Sequence, residues 1–358
     1  MSICFPYFII ALIIGIIGTT VPNLYMDDTR EYRFIRNKCR VQTFLIRGIV
    51  VFFSAFRMIS AASIDEYAYR NRFTQYVSMD FISSIKETTE PIFTGLVWIS
   101  TRLFSTNQGI IIVTGTITVL LLFGAIKKFS SNYSFACVIL FVSGIMYTTF
   151  NGIQQYLAAA VMVFAFDAAY EKKLKKFLFI VLVCALIHNA SVFLILFYPL
   201  ANAKTGSKKM WIYNIAFLIA GLVFYRSVPD LAGRYGVLTE YVGVLSSGHH
   251  GVQRITIMIN MIPAILALMY RRNINQDKIT SAFANITIMH AAIYLLASID
   301  VYIARLAIFT APFTVIFLSR IMYYVKDARV VKFLAIVLYS IVCYLQLQDI
   351  VYTFNFVL

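Results

Sequence analysis

Charge is scarce in this chain of 358 residues, where Asp, Glu, Lys and Arg together make up only 13%. Soluble domains carry about 25%, so a surface solvated on all sides is excluded. Cysteine is also sparse: Cys4, Cys39, Cys137, Cys184 and Cys343 show no paired spacing and mostly lie in apolar runs. That pattern suggests neither a disulfide framework nor a zinc site, and the five read as small core residues. Proline and glycine, at 7 and 16 residues, never gather into a linker, and no period repeats along the chain. Solenoid and multidomain architectures therefore have nothing to rest on. There is no Gly-rich phosphate loop and no Asp-x-Asp motif, and the adjacent His249 and His250 lack the partners and spacing of a metal site. No metal and no cofactor are expected. The first residues lack the basic region of a cleavable signal, so their apolar run is expected to stay as the first span.

What the chain has in abundance is apolar surface: 60% hydrophobic residues, 16% aromatics and a mean hydropathy of +0.79. The class that follows is all-α, a single polytopic membrane domain over residues 1–358 with about 11–13 transmembrane or membrane-embedded helices of roughly 20 residues or less. A GT-C-like arrangement is compatible with it. The net charge of +15 reads as loops held on the cytoplasmic side, and nucleic acid is not an expected partner.

Charge placement orders the spans. Arg30, Arg33, Arg36, Lys38 and Arg40 follow a first span over 6–22, which puts the N-terminus outside. A second span over 43–62 leads out to a polar segment, 63–107, containing a short apolar stretch, 92–104, read as an in-plane or re-entrant helix. Spans over 109–126, 135–150 and 156–170 follow, with a polar turn at 151–155. Residues 177–201 are flanked by lysines on both sides, Lys172 to Lys176 before and Lys204 to Lys209 after. A single crossing would put one cluster outside; a hairpin with His188 at its outer tip keeps both inside, and is preferred. A second external loop is expected over 226–254, and a late span over 306–319.

The stretch from Arg57 to Glu90 stands out, because it places four basic and five acidic residues in 34 positions of a chain otherwise poor in both. Charge kept at a cost in a membrane protein marks function. On this topology Arg57, Asp65, Glu90, Gln154, His188 and Arg305 converge on the outer face. Asp65 and Tyr69, four apart, share a face if their segment is helical. Guanidiniums there suit a pyrophosphate or another anionic headgroup, while Asp65, Glu90 or His188 could take a proton from an incoming hydroxyl. Structural roles stay open for each: Arg57 as an interfacial anchor, Asp65 as a helix cap, Glu90 as the residue before a helix-starting Pro91, His188 as a packing residue.

The chain resembles the EpsG-like family of exopolysaccharide and capsule biosynthesis, related in role to Wzy-type polymerases. The resemblance rests on five ordered blocks: Phe56-Arg57 followed by Asp65-x-x-x-Tyr69; Glu90-Pro91-Ile92-Phe93; Phe150-Asn151-Gly152-Ile153-Gln154-Gln155; Ile187-His188-Asn189-Ala190-Ser191; and Arg305 heading a late span. One departure is that the family's asparagine block usually continues Ile-Arg-Gln, where this chain has Gln154. The resemblance implies polymerisation of undecaprenyl-pyrophosphate-linked oligosaccharide repeat units on the outer side of the bacterial cytoplasmic membrane. Asp65, Glu90 and His188 would be the catalytic residues, and Arg57, Tyr69, Arg70, Arg72, Asn151, Gln154, Gln155 and Arg305 the substrate-binding set, with Arg57, Arg70, Arg72 or Arg305 taking any phosphate contact that Gln154 has lost. Membrane lipids, a chain-length regulator and the flippase of the same pathway complete the implied partners. A flippase or exporter of the same glycan, a ligase or an acyltransferase are the competing classes.

Overall fold

The computed structural model describes residues 4–19, 40–59, 64–86, 88–235, 252–299, 301–347 and 352–354. Helices α1 (Cys4–Thr19) and α2 (Arg40–Ala55) are followed by a three-residue strand β1 (Arg57–Ile59) and by helices α3 (Ile64–Tyr76), α4 (Phe81–Lys86) and α5 (Pro91–Leu103). Next come α6 (Gln108–Phe129), α7 (Tyr133–Val142), α8 (Ile145–Asn151), α9 (Ile153–Tyr170) and α10 (Leu174–Ile187). A 3₁₀ segment (Asn189–Leu196) leads to α11 (Phe197–Ala201), α12 (Lys208–Tyr235), α13 (Arg254–Met269), α14 (Arg271–Ile274) and α15 (Lys278–Leu296). A second 3₁₀ segment (Val301–Phe309), α16 (Ala311–Ile321), α17 (Ala328–Leu347) and strand β2 (Tyr352–Phe354) complete the order. The expected all-α membrane class holds, apart from the small β1–β2 ribbon. Among the described residues α6, α9, α15 and α17 are long and apolar enough to cross a membrane, and the bent pairs α7–α8 and 303–321 bring the number to 6.

Local chemistry explains where the helices begin and break. Asn132 caps α7 by accepting from the Phe135 amide at 2.8 Å, and Asp277 caps α15 by accepting from Ile279 and Thr280. Pro91 opens α5, a position where its missing N–H costs nothing. The expected span 135–150 is broken at Gly144, where φ of +77° turns α8 by 55° from α7. The late span is broken likewise, with a 57° bend at Thr310.

Two helices form the centre. In α9, Ala158, Ala159, Ala160, Ala165, Ala168 and Ala169 are all fully buried, and in α15 so are Ala282 and Ala284. Small side chains let neighbouring backbones approach closely, which is how helices associate where lipid removes the hydrophobic drive. By contrast α17 lies at the periphery, with only 22% of its apolar window buried and Phe333 and Tyr344 outward.

Hydrogen bonds sort the helix termini into two ends. At one, Lys127 donates to Thr43, Lys128 pairs with Asp167, and Asn202 donates to the Ala169 carbonyl at 2.9 Å. Arg320 joins them by donating to the Phe129 carbonyl at 2.7 Å and to Asp277 at 2.9 Å. This basic end also holds Lys172 to Lys176. Because Asn202 returns to Ala169, residues 174–201 form the preferred hairpin, with His188 at the far end. Arg57, Glu90, Gln108, Gln154 and His188 gather at that opposite end.

Three boundaries differ from expectation. The span 43–62 stops at Ala55, since Arg57 to Ile59 pair antiparallel with Phe354 to Tyr352. Helix α12 runs on through Tyr235, so the loop expected from 226 begins later, and residues 236–251 lie outside the described set. The polar segment 63–107 holds three helices, α3 to α5, rather than one.

Replacing Gly144 with Ala is expected to cost about 1–2 kcal/mol, the penalty of left-handed backbone for an L-residue. The added Cβ would also lie 2.9 Å from the Gln346 amide oxygen. A lowered melting temperature of the purified protein in detergent checks this; an unchanged one would refute the assigned strain.

Candidate active site

Glu90 is the hub of the site end. It lies just before α5, and its half-buried carboxylate receives three donors from two other parts of the chain. Gln154, in the first turn of α9, donates from Nε2 to Oε2 at 2.5 Å. The Asn189 backbone amide donates to Oε1 at 3.0 Å, and His188 Nδ1 lies 3.1 Å from the same oxygen. Asn189 Nδ2 adds a bond to Thr89 at 2.6 Å. Gln154 is buried and gives its second amide hydrogen to the Ile187 carbonyl at 2.6 Å. The starts of α5 and α9 and the end of α10 are thereby tied into one junction.

Burial pushes the Glu90 carboxyl pKa up, but the bonds from His188, Asn189 and Gln154 and the nearby imidazole outweigh it and hold the pKa below the ordinary carboxylate value. Glu90 is therefore an anion near neutrality. Its natural partner on His188 is the Nδ1–H, which leaves the lone pair on Nε2. Gln155 faces that nitrogen with its Nε2 at 3.3 Å, as a donor. Phe309 covers one face of the imidazole, stacked at 6.1 Å between centroids with planes 21° apart. The result is an oriented imidazole backed by a carboxylate, with one nitrogen directed at an exchangeable neutral donor. Such a pair can accept a proton from a hydroxyl and stabilise the imidazolium that forms.

Other candidates take different places. Arg57 is only 1% exposed; its Nη1 donates to the Ser54 carbonyl at 2.5 Å and its Nη2 to the Phe150 carbonyl at 3.2 Å. The guanidinium also lies 4.4 Å from the Phe150 ring centroid. Its visible work is to hold the backbone just before Asn151 and Gly152, not to face outward. Arg70 donates to Asn107 and Gln108 at 2.9 Å each, and Gln108 in turn donates to the Ala55 and Arg57 carbonyls. Tyr69 is buried with its ring against Phe93 at 5.5 Å. Arg72, Asn151 and Arg305 are half-buried, Arg305 on the same 3₁₀ segment as Phe309. Asp65 sits in α3, and its side chain lies outside the described set.

The residues brought together are thus Glu90, Gln154, Gln155 and His188. The Asn189 amide and the Phe309 ring join them without having been singled out from sequence. Asn189 was within a quoted block; nothing in the sequence marks Phe309, whose role depends on the bend that follows it. Among the described residues no three His, Cys, Asp or Glu side chains could hold a metal ion together.

The EpsG family model matches residues 41–356, most of the chain and all of this site, and the chain belongs to that family. At that level it is a membrane protein of polysaccharide biosynthesis. No curated protein and no solved structure matches the chain.

Because the folded-state pKa of Glu90 is depressed, its contribution to stability is present above the unfolded value, near 4.5, and is lost as pH falls through the folded one. The Glu90→Gln protein is therefore expected to melt lower than wild type at neutral pH and to converge with it on acidification below about pH 4.5. Melting curves across pH test this; a gap that stays constant down to low pH would contradict it.

Proposed function

We propose that the protein is a Wzy-type polysaccharide polymerase, a glycosyltransferase that joins undecaprenyl-pyrophosphate-linked oligosaccharide repeat units. The observation that carries this reading is the Glu90–His188 pair, with His188 Nε2 presented beside Gln155 at one end of the bundle. An acceptor sugar hydroxyl replaces the Gln155 contact and gives its proton to Nε2, while its oxygen bonds to the anomeric carbon of the donor glycan. The carbon–oxygen bond to pyrophosphate breaks, and undecaprenyl pyrophosphate leaves with the electron pair. Glu90 holds the imidazole in the receiving tautomer and offsets the charge that develops on it.

The leaving pyrophosphate needs cations. Arg305 suits that task best, being half-buried on the segment whose Phe309 stacks on His188; Arg70 and Arg72 on α3 supply further positive charge. Arg57 supports the site from within through its hold on Phe150. Orientation follows from the basic end: Lys127, Lys128 and the 172–176 cluster belong on the cytoplasmic side of the bacterial inner membrane by the positive-inside rule. The site then faces the outer side, where flipped lipid-linked units and a chain-length regulator are found as partners.

In purified protein supplied with the lipid-linked repeat unit of its own pathway and no nucleotide sugar, a ladder of polymer with release of undecaprenyl pyrophosphate is expected. His188→Ala should lower ladder formation by about 10²–10⁴-fold, the range typical of losing a general base. Absence of a ladder from folded wild-type protein with authentic substrate would overturn the polymerase reading. Transfer to an acceptor that is not lipid-linked, loss of acetyl groups at constant chain length, or movement of the lipid across sealed vesicles would replace it by a ligase, an acyltransferase or a flippase.

A further inference from the structure

A second histidine lies deep in the bundle and outside the site. His290, on α15, is buried together with Thr310, the residue at the 57° bend between the 3₁₀ segment 301–309 and α16. His290 Nδ1 is 2.7 Å from Thr310 Oγ1, and Nε2 donates to Asn260 Oδ1 on α13 at 3.2 Å. Asn260 is itself fixed, its Nδ2 donating to the Thr256 carbonyl at 2.9 Å. One imidazole therefore joins α13, α15 and the bend. A polar triad at this depth would be expensive if it were only packing, because an apolar trio would fill the same space without desolvation.

The bend matters because of what precedes it. Phe309 is the immediate neighbour of Thr310 and stacks on the His188 imidazole. One residue earlier, Ile308 packs against Gly152 at the start of α9; a Cβ built on Gly152 would lie 3.2 Å from Ile308 Cδ1. Segment 301–309 is thus anchored by His290 just past its C-terminal end, where its last two residues press on both halves of the site. It also carries Arg305.

We propose that His290 is a positioning residue: through Thr310 it sets the bend that holds Phe309 against His188, on the segment that also carries Arg305. The inference rests on the assignment of His188 as the base, and its structural half stands without it. The chain contains only 4 His, so histidine-selective isotope labelling in nanodiscs gives a readable spectrum in which the His188 ring reports its stacking partner directly. Phe309→Leu, which removes the stacked ring, identifies the shift to look for.

Thr310→Val, which keeps the shape and removes the hydroxyl, should move the His188 ring signals in the direction that Phe309→Leu does. It should also lower kcat of repeat-unit transfer about tenfold with little change in KM. Thr310→Ser, which keeps the hydroxyl, should restore both. Should the Val variant not fold, Asn260→Leu removes the opposite anchor of the same imidazole and is expected to give the same shift. His188 signals that stay in place while those of His290 move, or an equal loss with Ser and Val, would overturn the proposal. If His188 moves as expected but wild type makes no ladder, the coupling stands and only the polymerase reading fails.

Discussion

A carboxylate drawn in among apolar helices must be met by donors, and Glu90, just before α5, meets that demand with groups from two other helix ends. Its oxygens accept from Gln154, from the Asn189 amide and from His188. Leaving such a charge unmet costs several kcal/mol, so the start of α5, the start of α9 and the end of α10 cannot drift apart independently. Level and register of the site end follow from this one constraint. The imidazole is part of the same solution, since it satisfies the carboxylate while being oriented by it.

The opposite end obeys the same rule with different parts. Arg320 spends its donors on Thr280, Phe129 and Asp277, and Asp277 also caps α15. Between the two ends the core is apolar and rich in small residues, as Ala158 to Ala160 of α9 show. The irregular backbone is unevenly placed: the breaks at Gly144, at Gly152 and at His188 to Leu196 approach or line the site end. Irregular backbone at membrane depth survives only where protein or a polar cavity satisfies it. A site built at such breaks therefore gains backbone donors, like the Asn189 amide, that a continuous helix would have spent on itself.

Periodicity and charge reach some of this architecture and miss the rest for identifiable reasons. The lysine clusters on both sides of 177–201 were enough to favour a hairpin, because topology there is an electrostatic property of loops. Glu90, Gln154 and His188 were legible as polar residues in apolar surroundings, though not as mutual partners, since 98 positions separate Glu90 from His188. Sequence places Arg57 at the outer face but gives no sign of its burial, because the strand that takes over after Ala55 finds its partner only at Tyr352 to Phe354. No local pattern can announce a three-residue pairing over such a distance. The bend at Thr310 was invisible for a similar reason: its apolar flanks read as one continuous span, and only tertiary contact with His290 distinguishes the residue at the break.

The resemblance to the family sets an arginine where this chain has Gln154, and the hydrogen bonds of Gln154 show what its amide does here. A guanidinium there would compete with His188 for the carboxylate and cancel most of its charge. The amide instead donates one neutral hydrogen bond to Oε2 and sends its other hydrogen to the Ile187 carbonyl, leaving Oε1 to His188 and Asn189. The Glu90 carboxylate is therefore met by two neutral amide donors and by the imidazole. In the proposed reaction the imidazolium formed on proton uptake is the species that profits, because attraction to an uncancelled carboxylate grows as the proton arrives. In that proposal His188 keeps its contact with Glu90 Oε1, and with no guanidinium at position 154 the departing pyrophosphate would rely on Arg305 and on the arginines of α3.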